Sequence, residues 1–354
     1  MSVAPLYARW LEEALGHALP EERRATCDAC VLCPESTQVL PKHLATFDAR
    51  TKCCTYLPAL ANYQVGAIMR SADVHDHGRS SVLDRVAAHV AVTPHGLGWP
   101  AAFEAMYDED NDAHFGRRLE MRCPHYVDEA GGLCGIWKHR NGICSTWFCR
   151  LERGKVGKAF WGDVQDLLEE IESVLGWWCV EQLDVGTEAW DLLQQVDDPR
   201  GSLDGSIPIT EDMRRAVWGP WFGRELAFYE ESARLVADMS WCDVVDACGG
   251  AVRSKARTLA HSDEDHQNVK IPPWVRLERP AILEDLGASV WVSAYNSYEA
   301  IEVPRALLDA LEDHGVLEVD EVCGLLTEHL ARPVSRTDIR RWMDLGLLVQ
   351  DWPW

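Results

Sequence analysis

The stretch from Cys123 to Cys149 constrains this chain more than any other. Four cysteines, Cys123, Cys134, Cys144 and Cys149, fall within 27 residues, spaced too irregularly to form one face of a helix. Gly131, Gly132, Gly135 and Gly142 lie among them, so the backbone can wrap around a metal centre as no regular element can. Thiolates are soft donors that favour zinc, copper(I) and iron–sulfur clusters. Isolated buried cysteines are ordinary small hydrophobes, and that is the reading for Cys179, Cys242, Cys248 and Cys323.

More thiols stand upstream. Cys27, Cys30 and Cys33 form C-x2-C-x2-C, and Cys53 and Cys54 are adjacent. In an extended segment adjacent side chains diverge, so this pair can serve two centres, or one centre and a packing role. The first 150 residues thus hold nine cysteines, and two four-cysteine centres would use eight. The odd total of 13 argues against a complete disulfide framework. The opening MSVAPLYARWLEEALGHALPEERR has acidic residues where a secretory signal needs an apolar run, and no later run approaches the roughly 20 apolar residues of a membrane span. A cytoplasmic protein with no membrane association is expected, and clustered thiols in a reducing compartment read as metal-binding or redox-active.

Lys and Arg total 34 against 57 Asp and Glu, a formal charge of −23. Such a chain repels phosphate backbones, which excludes nucleic acid as an expected partner. The sixteen tryptophans, many beside Gly or Pro, read as large rings packing irregular segments. His75, His77, His89 and His95 are candidate imidazole ligands in a segment that also carries an ordinary amphipathic stretch, and residues 108–114 form an acidic loop.

Apolar periodicity predicts a helix over 3–18, a long one over 160–178, another over about 221–239 and a short one ending at Gly249-Gly250. Residues 186–210 read as surface loop, and 251–272, with His261 and His266, as a polar linker. Beyond it, alternation at Val290, Val292, Ala294 and at Ala300, Ile301, Val303 predicts strands, followed by three short helices, the last capped by Ser335 with Asp338 three residues on. The expectation is a mostly α protein. It has an irregular Cys-rich metal-binding region (1–160), a helical domain (161–270) and a small α+β winged-helix-like module (271–354).

The central cysteine pattern resembles the YkgJ-like cysteine-cluster family, described as zinc- or iron-chelating. Cys123-Pro124-His125-Tyr126 matches its C-P-x-L start, and Cys134-Gly135-Ile136-Trp137 through Arg140 to Cys144 matches its middle. Cys149 matches the closing cysteine five residues on. Tyr126 stands in place of leucine, Asn141 in place of proline, and the contiguous C-x-x-C-C of the family is split here. A related pattern is similar to that of flagellin lysine methylases, which implies an iron–sulfur cluster. The last 80 residues resemble PqqD-like domains, which implies a protein or peptide partner bound by that module.

Two functions are expected from these residues. The first is one or two [4Fe-4S] clusters held by Cys27, Cys30, Cys33, Cys53, Cys54, Cys123, Cys134, Cys144 and Cys149, with a redox or protein/peptide-modification role. His125 and His139 would act as donors around the centre and Arg140 would offset its negative charge. The second is a non-enzymatic protein with structural zinc, for which only Cys27 to Cys33 has the usual short spacing. There is no Walker loop, no G-x-G-x-x-G after a strand, no H-E-x-x-H and no C-x3-C-x2-C. No catalytic residue is assigned, and whether the chain is an enzyme stays open.

Overall fold

The computed structural model describes residues 3–22, 27, 30, 32–33, 41–44, 46–109, 115–194, 210–268, 270–293, 295–296, 298 and 300–351. The chain is mostly helical. Helix α1 (Pro5–Leu15) begins on a proline and ends where Gly16 turns left-handed at φ 76° and donates its N–H to Glu12. Strand β1 (Leu60–Ala61) leads into α2 (Asn62–Arg70), and α3 (Asp76–Ala88) follows. β2 (Val92–Thr93) and β3 (Gly96–Leu97) complete a small antiparallel sheet in the order β1-β3-β2. After α4 (Ala101–Glu109), β4 (Tyr126–Val127) and β5 (Leu133–Cys134) form a hairpin that pairs Tyr126 with Cys134. A single turn of helix, α5 (Gly142–Thr146), carries Cys144.

The long helix α6 (Gly154–Gln182) is the spine. It buries Phe160, Val164, Leu167, Leu168, Ile171, Leu175 and Cys179, the 3.6-residue stripe predicted over 160–178 extended by a turn at either end. Then come α7 (Thr187–Gln194), α8 (Glu211–Trp218), α9 (Glu225–Ala237), α10 (Trp241–Cys248) and α11 (Gly250–Gln267). Two segments differ from the sequence expectation. Residues 187–194 are helical rather than loop, and 250–267 form a helix packed along α6 rather than a linker. The reason is a narrow stripe: Val252 and Leu259 are buried and Ala256 packs beside them, while the polar residues around them mask the periodicity.

One apolar cluster joins Tyr7, Trp10 and Leu11 of α1 to α6, α10 and α11. A second joins α2 and α3 to Trp218, Phe228 and Tyr229. Helices α2 and α9 approach so closely at Gly66 that a Cβ there would lie 1.8 Å from the Tyr229 carbonyl oxygen.

The last segment has β6 (Trp274–Leu277), β7 (Ile282–Asp285), β8 (Ser289–Ser293) and β9 (Ala300–Pro304), then α12 (Arg305–Glu312), β10 (Leu317–Glu318), α13 (Val319–His329), α14 (Arg336–Asp344) and β11 (Leu348–Gln350). The expected strands pair antiparallel in the order β7-β8-β9, with Val290 opposite Val303 and Val292 opposite Ile301. Ser335 and Asp338 form the expected reciprocal cap of α14. A second sheet, β10-β6-β11, closes the module. Among the described residues no helix is long and apolar enough to cross a membrane.

The elements are tied at one buried carboxylate. Glu172, on α6, is 5% exposed. Its Oε1 accepts from the Tyr7 hydroxyl at 2.5 Å, from Gln64 Nε2 at 3.2 Å and from the Gly142 amide at 2.7 Å. Burial and that carboxylate hold the Tyr7 hydroxyl well above its ordinary pKa. α1, α2 and α5 are therefore all fastened to α6 through one oxygen. Glu172→Ala removes the acceptor shared by three buried donors, of which Gln64 Nε2 retains the Tyr7 hydroxyl at 2.7 Å, and we expect a loss of roughly 2–4 kcal/mol in urea unfolding. Tyr7→Phe, which removes one donor to Glu172 and an acceptor of Gln64 Nε2, should cost about 1–2 kcal/mol.

Candidate metal centre

The hairpin β4–β5 places Cys123 at its start and Cys134 at its end, and its position is set by two glycines. The Cys134-Gly135 turn lies on α3 at Gly78, where a Cβ on either glycine would come within 2.9 Å of the other's backbone. The His75 amide donates to the Gly135 carbonyl at 3.2 Å, and Gly135 N–H to His125 O at 2.8 Å. The Cys123 amide donates to the Cys54 carbonyl at 2.7 Å, which joins the hairpin to the Cys53-Cys54 turn. Cys144 is set by α5, whose N-cap Asn141 accepts the Cys144 amide at 3.0 Å. Asn141 thus does locally what the proline of the resembled pattern does not.

The cysteines of the first 150 residues occupy one neighbourhood of the fold, divided in their packing between Cys30, Cys33, Cys53 and Cys149, then Cys54 and Cys123, and then Cys134. Cys53 is its hub, near enough to Cys27, Cys30, Cys54, Cys123, Cys134, Cys144 and Cys149 for their charges to act on one another. Cys33 joins through a thiol hydrogen bond to Cys30. Cys30, Cys33, Cys123 and Cys149 are buried and the rest half-buried.

The thiols divide into two kinds. Cys30 is pulled down by hydrogen bonds from the Cys149 and Cys33 thiols, and Cys53 by one from Cys54. Their partners Cys149 and Cys54 move up, first through those same bonds and then through burial. Burial pushes Cys27 and Cys123 up to about 12 and raises Cys134 and Cys144. A metal binding here has to expel protons.

Against that burial, amides favour the thiolates. The N–H two residues on, of Leu32, His125 and Ile136, lies near Cys30, Cys123 and Cys134 respectively and lowers the pKa of each thiol. An N–H near sulfur stabilises the deprotonated ligand form.

Two cations flank the core. Arg140, 5% exposed, stacks 3.6 Å over the Trp137 ring, and donates to the Trp137 and Cys144 carbonyls at 3.1 and 2.8 Å. Its charge favours the thiolates of Cys134, Cys144 and Cys53. Lys52, 5% exposed, is held at φ 51° and donates Nζ to the carbonyls of Cys27, Gly131 and Gly132. Sequence reading missed Lys52; its position directly before Cys53 was the signal available.

The histidine rings have contacts of their own. His125 Nδ1 meets Ser81 Oγ at 2.8 Å, its Nε2 has no partner among the described residues, and burial pushes its pKa down to about 3. His139 Nε2 is likewise buried without a partner, and the charges acting on it are those of Lys138 and Asp73. His75 caps α3, His77 meets the Pro124 carbonyl at 3.0 Å and His89 ends α3 in the left-handed region. His95 meets the Ser173 carbonyl at 2.9 Å. His114 and residues 110–113 of the acidic loop lie outside the described residues. Of the remaining cysteines, Cys179 and Cys248 pack in the α6 core, Cys323 is half-buried and Cys242 is exposed.

Among the described residues no group of three or more His, Cys, Asp or Glu side chains is arranged to hold a metal ion as it stands. The donor set is nonetheless chemically suited to one: many soft thiols, amides near sulfur, and compensating cations. Lys52→Met leaves the buried Gly132 carbonyl and the partly covered Cys27 and Gly131 carbonyls without this donor, and should cost roughly 1–3 kcal/mol in urea unfolding. Comparison with protein-family models, with curated proteins and with solved structures gives no match to this chain.

Proposed function

We propose that this chain is a cytoplasmic metal-binding protein whose nine-thiol core holds one or two [4Fe-4S] clusters, serving a redox or peptide-modification reaction. The observation that carries this reading is the nearness of Cys53 to seven other thiols, with Cys33 joined to one of them, Cys30. A cubane interposes its own irons and sulfides between its ligands, so its thiols stand farther apart than the roughly 3.8 Å implied by tetrahedral zinc–thiolate bonds. When bound, such a cluster would supply one-electron chemistry.

The chain's own residues would hold the thiols, exclude water and balance charge: Arg140 and Lys52 against the thiolates, and the Leu32, His125 and Ile136 amides near sulfur. His125 and His139, whose free ring nitrogens are buried, are the further donors of this proposal. Structural zinc is the second reading, favoured by the Cys27–Cys33 spacing.

A peptide partner fits the last module, which we take to be winged-helix-like. A cavity of about 570 Å³ lies between β9, α14 and residues 150–154, with Ile301, Glu302, Arg340 and Arg341 in its wall. Among the described residues the outer side of β9 pairs with no strand, so an extended peptide can add to it. The cavity wall includes Arg150, next to Cys149, and the Trp291 and Ala300 that pack on Cys30, Cys33 and Cys149. A peptide seated there would lie beside the thiol core.

The test is anaerobic purification, an absorbance spectrum and metal analysis of one sample. Broad absorption near roughly 400 nm with about four or eight irons per chain is the expected outcome. A colourless protein with one or two zincs would favour the second reading. Cys134→Ser and Cys144→Ser should each lose metal and lower the melting temperature, and full metal retention with unchanged melting in both would refute the assignment.

A further inference from the structure

A cavity of about 620 Å³ opens between α3 and the Cys123 turn, with Leu57, Ser80, Ser81, Arg85, Pro100 and Cys123 in its wall. Its size falls in the ordinary range of small-molecule sites. The unusual member is Arg85, which is 9% exposed. Its Nη2 donates to the Gly98 carbonyl at 2.5 Å, while Nε and Nη1 have no hydrogen-bond partner among the described residues. Three N–H bonds of a buried cation are thus unfilled, an unfavourable arrangement unless an acceptor arrives. Burial brings the guanidinium down only to about 10, so it stays charged at neutral pH.

We propose that this cavity binds a small organic carboxylate through Arg85.

The surroundings select the class. Arg122, also in the wall, is paired with Asp128 at 2.8 Å, and His77 with the Pro124 carbonyl. Asp84 lines the cavity but is exposed. That leaves one cation without a carboxylate partner and one carboxylate near the mouth. The one buried cation matches a single negative charge, and the exposed Asp84 disfavours a phosphate carrying nearly two. Leu57, Val90 and Pro100 offer an apolar bed for the body of the ligand. Arg85 Nε and Nη1 are closed to solvent as the side chains stand, so the head group reaches them when wall side chains rotate aside. The bound acid would then lie against Cys123.

The inference does not depend on which metal the thiols hold, or on whether they hold one. The test is calorimetric titration of the full chain, as purified, with benzoate and with butanoate. Benzyl alcohol and inorganic phosphate are the controls, and metal content is measured on the same samples. Binding of at least one carboxylate, weakened tenfold or more in Arg85→Met, is the expected result. Ser80 is exposed in the cavity wall and its substitution leaves the core intact. Ser80→Glu should weaken binding several-fold and Ser80→Lys should strengthen it several-fold. The proposal is overturned if neither carboxylate binds, if benzyl alcohol or phosphate binds as well, or if the Ser80 variants leave affinity unchanged. Arg85 would then serve only as a counter-charge to Cys123.

Discussion

The Glu172 carboxylate is the interaction on which the remainder rests. A buried carboxylate is unfavourable unless its oxygens are filled, and here one oxygen takes donors from three separate segments. The arrangement converts a destabilising burial into a constraint on geometry. Because the third donor is the amide that opens α5, the position of the Cys144 thiol is set by the same oxygen that seats α1. The spine helix therefore holds the thiol loop at a polar point as well as through its apolar face.

Charge is distributed with equal economy. The chain carries a net −23, yet cations are buried where thiols concentrate. Lys52 and Arg140 lie in the core, and Arg85 stands near Cys123. Lys52 also accepts a left-handed backbone, which costs a non-glycine residue about 1–2 kcal/mol, to reach carbonyls on two loops. In an acidic protein, buried cations beside sulfur stabilise thiolates that burial alone would keep protonated.

Much of the fold is legible from periodicity. The α6 stripe, the α1 stripe, the alternating β8 and β9 and the Ser335–Asp338 cap all follow from residue spacing. What escapes is structure set by contacts between distant segments. Helix α11 presents only Val252, Ala256 and Leu259 amid charged residues, and its partner is a helix some 90 positions earlier, so local pattern cannot signal it. The nine cysteines stand out in the sequence as candidates, but their shared neighbourhood depends on the Cys123–Cys54 backbone bond and the Gly78–Gly135 approach, both between residues far apart in sequence. Lys52 and Glu172 escape for a different reason: a single charged residue carries no periodicity, and its burial appears only when the neighbouring elements close around it.

The packing of Trp291, Tyr298 and Ala300 on Cys30, Cys33 and Cys149 has a temporal side. These three residues leave the ribosome roughly 140 positions after Cys149, which is tens of seconds at the slower rates of synthesis. During that interval the thiol side of the front half lacks its aromatic cover. Only when the sheet arrives are Cys30, Cys33 and Cys149 covered from that side.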